Sequence, residues 1–347
     1  LSRQDEFPIF IFFMAAVDNV TKAATLEPSH YSSSPVIIWD LDETLIIFDS
    51  LRDGKFAAAH GKDEQAGRDI GNGLSRLLMA LLDGIFSFRK LERVDVGSLA
   101  EPPSMFQDAS AEKTGQSPPG SSTAGAEQSS AKLSNAAALI TRIAEIYDGG
   151  EARLATLVPA GWLAERKRLL AEVEAYTDGW LAAASNGLSN SGDDGSAVEA
   201  TSTTAEAPSG LTSRLPKPVN MVVTASHWVA ALGKLLLFAL SEHVRACDVF
   251  SATHRSKTAA FEAALMKHAI EQTARQPLEE ASKDLPTVIA VGDGTEEATA
   301  AADLAMPFVR VRSSSDLMSI PKLQDLATGT KDALGIRPKR LKTSLIN

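Results

Sequence analysis

The stretch PVIIWDLDETLIIFDSL, residues 35–51, constrains the fold more than any other part of the chain. Four apolar residues, three of them β-branched, stop abruptly on Asp40. A second acid follows at Asp42, then Glu43 and Thr44, and the chain is apolar again from Leu45 to Phe48. Apolar side chains at consecutive positions bury both faces of a strand, and such strands occur in parallel sheets covered on both sides. Two later runs are built alike: VNMVVT ends on Thr224, and TVIAVG leads to Asp293. Around them lie HWVAALGKLLLFALSEHV, read as a helix, DVFSAT, a short strand, and KTAAFEAALMKHAIEQTARQ, a helix. EEATAAADLA is a further helix and PFVRV a further strand. This strand–helix alternation predicts an α/β protein with a parallel sheet.

The sheet is split in the sequence. Residues 35–50 carry the first strand and 216–330 the remainder, with 51–215 inserted between them. Inside the insertion, Ile70, Leu74, Leu77, Leu78, Leu81, Leu82 and Ile85 recur at helical spacing. Helical periodicity resumes at SNAAALITRIAEIYDG, with Ser134 or Asn135 as N-cap. It continues through AERKRLLAEVEAYTDGWLAAA, where Leu169, Leu170, Val173, Tyr176, Trp180 and Leu181 form one apolar stripe. Segments 101–132 and 185–214 are low in apolar anchors and rich in Ser, Gly, Ala, Pro or Thr, which predicts a disordered insertion and a flexible loop. Residues 1–34 are expected to be disordered and 331–347 to form a basic tail. That tail reads first as a solvated terminus and second as a nuclear-import signal.

Composition narrows the partners. Of 347 residues 44% are hydrophobic and 22% charged, and the formal charge is −10. That balance suits a soluble globular protein and excludes nucleic-acid binding through the whole surface, which needs clustered Lys and Arg. A single cysteine, Cys247, forbids an intrachain disulfide and fits a reducing compartment, cytoplasmic, nuclear or both. It is expected to be a small buried hydrophobe just before a strand. The apolar run from Pro8 to Val17 is too short to span a bilayer and lacks the positive flank of a secretory signal. No membrane association is expected. Leu1 opens the sequence and the first methionine is Met14, which reads as an upstream-extended gene model or a fragment.

In open parallel sheets, ligands bind beyond the carboxyl ends of the strands. Asp40, Asp42, Thr224 and Asp293 all stand at such ends, and Lys257 follows the weaker strand after a short loop. Three acids gathered there repel one another. A hard cation relieves that repulsion, and carboxylate oxygens suit Mg²⁺. One carboxylate free to attack and another to carry a proton make a nucleophile and a general acid/base. A Thr hydroxyl and a Lys ammonium supply donors for a transferring phosphoryl group. Together these five residues point to phosphoryl transfer through an aspartyl-phosphate. Taken singly, Asp-x-Asp and Gly-Asp-Gly are more often turns or caps; the signal lies in their order.

That order resembles the haloacid dehalogenase superfamily. Within it, WDLDETLIIFDSL is similar to the eyes absent family of protein tyrosine phosphatases, in a short, phosphatase-only form. RIAEIYDGG, ERKRLLAEVEAYTDGWLAAA, VVTASHWVAALGKLLLFAL, VFSATHRSKTAAFE and VGDGTEEATAAADLAMPFVRVRSSSDLMSI extend the resemblance. It implies a Rossmann-like parallel sheet with a helical cap inserted after the first strand. It further implies Mg²⁺ dependence. Asp40 would be the nucleophile. Asp42 would protonate the leaving oxygen and then activate water. Asp40, Asp42 (through its backbone carbonyl) and Asp293 would be the metal ligands. Thr224 and Lys257 would hold the phosphoryl oxygens, and Glu296 would orient metal-bound water, with Glu297 beside it. The substrate would be a phosphotyrosine protein. A transcription-factor partner belongs to the animal members and does not carry over by motif.

The chain departs from that pattern after Thr224, where Ala225, Ser226 and His227 stand; His227 and Trp228 either line the pocket or simply pack and cap a helix. Two other readings compete. One is a superfamily phosphatase for phosphoserine or a small metabolite. The other is a transcription cofactor or interaction protein with a vestigial site, which the intact acids oppose.

Overall fold

The computed structural model describes residues 35–91, 93–101, 104–105, 123–189, 218–275 and 287–320. Five parallel strands form the central sheet: β1 (Val36–Trp39), β4 (Val219–Thr224), β5 (Val249–Ser251), β6 (Val288–Gly292) and β7 (Phe308–Arg310). Their order is β5-β4-β1-β6-β7. A separate two-stranded antiparallel ribbon joins β2 (Val94–Asp95) to β3 (Ser104–Met105); no sequence signal announced it. Strand β1 is central. Its Val36 pairs with Val219 on one side and Val288 on the other, and Trp39 with Val222 and Val291.

The consecutive apolar residues of β1 divide between two cores, as a doubly covered strand requires. Ile37 and Trp39 join Val222, Ile289 and Val291 in one cluster, and Val36 and Ile38 join Met221, Val223 and Ala290 in the other. The second is closed by α9 (Lys257–Arg275) and α10 (Thr295–Asp303), through Phe261, Ala264, Ala300 and Ala301. The first is closed by α8 (Trp228–Leu237) and by helices from between β1 and β4. These are α1 (Asp49–Asp53), α2 (Lys55–His60), α3 (Glu64–Gly84), α4 (Thr123–Asp148), α5 (Gly150–Leu157), α6 (Ala160–Tyr176) and α7 (Trp180–Ser189).

Helix α3 carries the predicted stripe: Ile70, Leu74, Leu77, Leu78, Leu81 and Leu82 are all buried. Asp63 caps it, accepting from the Gln65 and Ala66 amides at 2.8 and 3.1 Å. Arg166 of α6 is buried and reaches the end of α8, donating to the carbonyls of Leu236 and Leu237 at 2.7 Å each. Its other side grips Glu151. Amides just past the helix serve the Lys234, Leu235 and Leu236 carbonyls, Arg166 adds a donor at Leu236 and reaches Leu237, and a cation there also suits the helix dipole.

Four expectations about helices and loops need correction. Helix α4 starts at Thr123, so the last ten residues of the stretch 101–132, expected to be disordered, are helical, and Ser134 and Asn135 are interior rather than caps. The stretch TAGAEQSSAKLSNAAA lacks proline and is rich in Ala, and interior Ser costs a helix only tenths of a kcal/mol, roughly. Low complexity here does not mean low propensity. Residues 185–189, expected in a flexible loop, end α7, where Gly187 and Leu188 are buried; 190–214 lie outside the described residues. The stripe through 164–184 is two helices, broken at Asp178 and Gly179, both with left-handed backbone (φ 54° and 81°). The helix expected over 227–244 ends at Leu237, followed by Ala239 with φ 58°.

Cys247 does precede β5, but it is only partly buried, and partial desolvation raises its thiol pKa. Residues 1–34, most of 101–122, 276–286 and 321–347 lie outside the described residues. Among the described residues no helix is long and apolar enough to cross a membrane.

Candidate active site

The carboxyl ends of β1, β4, β5 and β6 bring the predicted residues to one edge of the sheet. Asp40 follows Trp39, Thr224 is the last residue of β4, Asp293 follows Gly292 of β6, and Lys257 opens α9 beyond β5. The chain leaves β1 through a tight turn. The Leu45 and Ile46 amides donate to the Leu41 carbonyl at 3.0 and 3.1 Å, and Glu43 donates to Ile46 at 2.8 Å. Glu43 takes a left-handed backbone (φ 62°), and its carboxylate holds the Phe48 and Ser50 amides and the Ser50 hydroxyl. Leu41 is fully buried, as alternation across an extended chain predicts for the residue between two site acids.

Asp40 is buried and its two oxygens have separate partners. Lys257 Nζ pairs with Oδ1, and the Thr44 hydroxyl lies 3.1 Å from Oδ2. The same hydroxyl stands 3.3 Å from Asp293 Oδ1, so one oxygen links two carboxylates from different strands. Lys257 Nζ also pairs with Glu297 Oε1 at 2.6 Å. Burial raises the Asp40 pKa to about 7; Lys257 opposes that rise, and the charge of Glu297 adds to it. Asp293, at the rim, is also raised, by partial desolvation and then by Glu297. Lys257 is raised too: desolvation pulls it down, and Asp40 and Glu297 more than offset that.

Asp42 has a different set of partners. Lys234 Nζ lies 2.6 Å from Oδ1, Ser226 Oγ 2.8 Å from Oδ2, and Thr224 Oγ1 3.4 Å from Oδ2. Lys234 Nζ also donates to Ser226 Oγ at 2.9 Å. The turn after β4 is held by the Ser226 amide, which donates to Thr224 Oγ1 at 3.0 Å.

Of the two acids opening α10, Glu297 is buried against Lys257, and Glu296 is exposed. The glycines of VGDG are small for a reason. A Cβ on Gly292 would stand 2.7 Å from the Glu297 side chain and 3.4 Å from Asp40. His227 caps α8, its Nδ1 accepting from the Val229 amide and its Nε2 contacting the Val94 carbonyl, and burial lowers its pKa. Trp228 is fully buried.

Sequence reasoning missed Thr44, Lys234 and the contact of Ser226 with Asp42. One signal was present: Lys234 is the only charge in WVAALGKLLL, and a lone ammonium in an apolar helix needs a buried acid. Thr44 and Ser226 carry no such mark, since hydroxyls are common in turns.

The donor set fits Mg²⁺. Among the described residues no three His, Cys, Asp or Glu side chains are gathered as a ready-made metal cage. Mg²⁺ seldom uses one; it keeps several waters and binds through one or two carboxylates plus phosphate. Asp40 and Asp293, joined at Thr44, supply two such carboxylates, and with Glu297 nearby their negative charge exceeds that of Lys257.

No protein-family model matches the chain. Comparison with known proteins finds Protein phosphatase EYA1 of Mus musculus, 29% identical over 306 residues, which cover 82% of this chain and 44% of that protein. Protein phosphatase eya of Drosophila melanogaster is 25% identical over 84% of this chain and 35% of its own length. Protein phosphatase EYA of Arabidopsis thaliana is 25% identical over 81% of this chain and 83% of its own length. The chain thus spans about a third to a half of the animal relatives it matches and most of the plant one. Motif order, parallel sheet and these relatives agree: over about four fifths of its length the chain is similar to the eyes absent protein phosphatases.

Proposed function

We propose that this protein is a Mg²⁺-dependent phosphatase that hydrolyses phosphotyrosine in proteins through an aspartyl-phosphate on Asp40. The observation that carries this reading is the Thr44 hydroxyl shared between Asp40 and Asp293, with Lys257 on the other oxygen of Asp40. A buried carboxylate facing a cationic donor at a strand end is placed to attack phosphorus.

Asp40 forms a bond from a carboxylate oxygen to phosphorus while the bond from phosphorus to the tyrosyl oxygen breaks. Asp42 gives its proton to that leaving oxygen. It then takes a proton from water, whose oxygen bonds to phosphorus as the bond to Asp40 breaks, releasing phosphate and restoring both acids. Thr224 and Lys257 hold the non-bridging oxygens through the transfer. Bound between Asp40, the Asp42 carbonyl and Asp293, Mg²⁺ would neutralise charge on the phosphoryl group. Glu297 keeps Lys257 charged and oriented; Glu296, exposed on the same turn, is free to order water. A phenol has a pKa near 10, roughly, so an aryl ester asks less of the proton donor than an alkyl ester does.

The test is turnover of a phosphotyrosine and a phosphoserine peptide, with Mg²⁺ and with EDTA, by wild type and Asp40→Asn. Metal-dependent release of phosphate from phosphotyrosine, lost in Asp40→Asn, is expected. A preference for phosphoserine would overturn the substrate class. Turnover of neither would favour a metabolite phosphatase or an interaction protein.

A further inference from the structure

We propose that Lys234 and Ser226 are positioning residues that fix the orientation of Asp42 for proton transfer. The proposal rests on the phosphatase reading above and deepens it. Lys234 stands in the middle of α8 among Val, Ala, Gly and Leu, and is itself buried. An apolar residue would pack there without the cost of desolvating an ammonium, so the charge needs a use. Its Nζ has three neighbours: Asp42 Oδ1 at 2.6 Å, Ser226 Oγ at 2.9 Å, and the face of Phe48, with the ring centre at 5.3 Å. The aromatic face adds to the stabilisation that the two oxygens give the cation.

The hydrogen bonds run in one consistent direction. Lys234 donates to Ser226, and Ser226 spends its only proton on Asp42 Oδ2. Asp42 is therefore held at both oxygens from two elements, the body of α8 and the turn after β4. Two fixed points set the plane of a carboxyl group, and one would leave it free to swivel. Asp40 draws on an entirely separate set, Lys257 and Thr44. Among the described residues the two acids of Asp-Leu-Asp thus share no donor, and each can be oriented without dragging the other. An acid that must meet first the leaving oxygen and then a water needs this constraint, because proton transfer depends on approach within hydrogen-bond reach.

The readout that separates positioning from packing is leaving-group dependence in the first turnover. Phenyl phosphate expels a poor leaving group that needs the proton; p-nitrophenyl phosphate expels a good one that barely does. With Mg²⁺ present, Lys234→Met is expected to slow phenol release about 100-fold and p-nitrophenol release by less than about 10-fold. Ser226→Ala, a milder change, is expected to shift the ratio in the same direction. Lys234→Arg, which keeps a cationic donor, is expected to recover part of the phenol rate. Equal losses on both substrates, or an unchanged ratio in a folded Lys234→Met, would overturn the proposal. If Lys234→Met loses its cooperative melt, Ser226→Ala decides, and a wild-type ratio there overturns it. A wild type inactive on both substrates would instead overturn the phosphatase reading, and this proposal with it.

Discussion

Asp40 carries a cost that its chemistry imposes. Removed from water and set near Glu297, its carboxyl has a pKa raised to about 7, so charging it opposes folding even with Lys257 alongside. The unfolded chain ionises this group near 3.9, roughly. A raised folded pKa means the native state binds the proton more tightly, so stability falls as pH rises between those two values. In EDTA, Asp40→Asn is therefore expected to melt above wild type at pH 8, with the gap closing as pH falls toward 4. A variant less stable than wild type at pH 8 would show that the pair with Lys257 outweighs burial. Asp40, Asp42 and Asp293 were legible in the sequence because phosphoryl chemistry demands acids at strand ends. Thr44 was not, because a hydroxyl four residues on from Asp40 gains meaning only once the turn from Leu41 to Ile46 folds it back toward Asp293. Lys234 and its link to Asp42 fell between these cases: the residue was conspicuous, and its partner, 192 positions away, was not.

At the scale of elements, α8 shows which polar contacts matter. Arg166 satisfies the Leu236 and Leu237 carbonyls and pairs with Glu151. The carbonyl bonds are buried, whereas the Glu151 side chain is 41% exposed. Leaving buried carbonyls without donors costs about 1–3 kcal/mol each, and an exposed ion pair is worth about 0–1 kcal/mol. Leu236 keeps the Ala239 amide at 3.2 Å, so Arg166→Met takes the donor mainly from Leu237 and is expected to lower stability by roughly 1–3 kcal/mol, and Glu151→Gln by less than about 1 kcal/mol, as read from urea melts. The strands and α3 were legible because period and burial agree in them. The boundaries of α4, α7 and α8 were not. Ser-rich sequence hid the start of α4, and apolar residues continued past the turn at Asp178 and Gly179, whose left-handed backbone is set by the path of the chain. The ribbon of β2 and β3 is too short for periodicity to register at all.

For the whole molecule, the deciding fact is that one apolar cluster runs through both the sheet and the segment inserted into it. Trp39 and Val222 share that cluster with Leu74, Ile143, Leu169 and Trp180. Trp180 also donates its indole proton to the Thr44 carbonyl at 3.0 Å, so the insertion grips the turn that bears the acids. Unfolding followed by tryptophan fluorescence and by far-ultraviolet circular dichroism is expected to give one coincident transition. Two separated transitions would mean that the insertion is a domain with its own stability. The central place of β1 has a consequence for how the chain is made. On a ribosome β1 emerges first, yet Trp39 bonds to Asn220, 181 residues later, and its other flank waits for Val291. Until β6 has been synthesised, this apolar strand has an unpaired edge, which invites chaperone capture and makes the emergence of β6 the event that permits the two flanks of β1 to close.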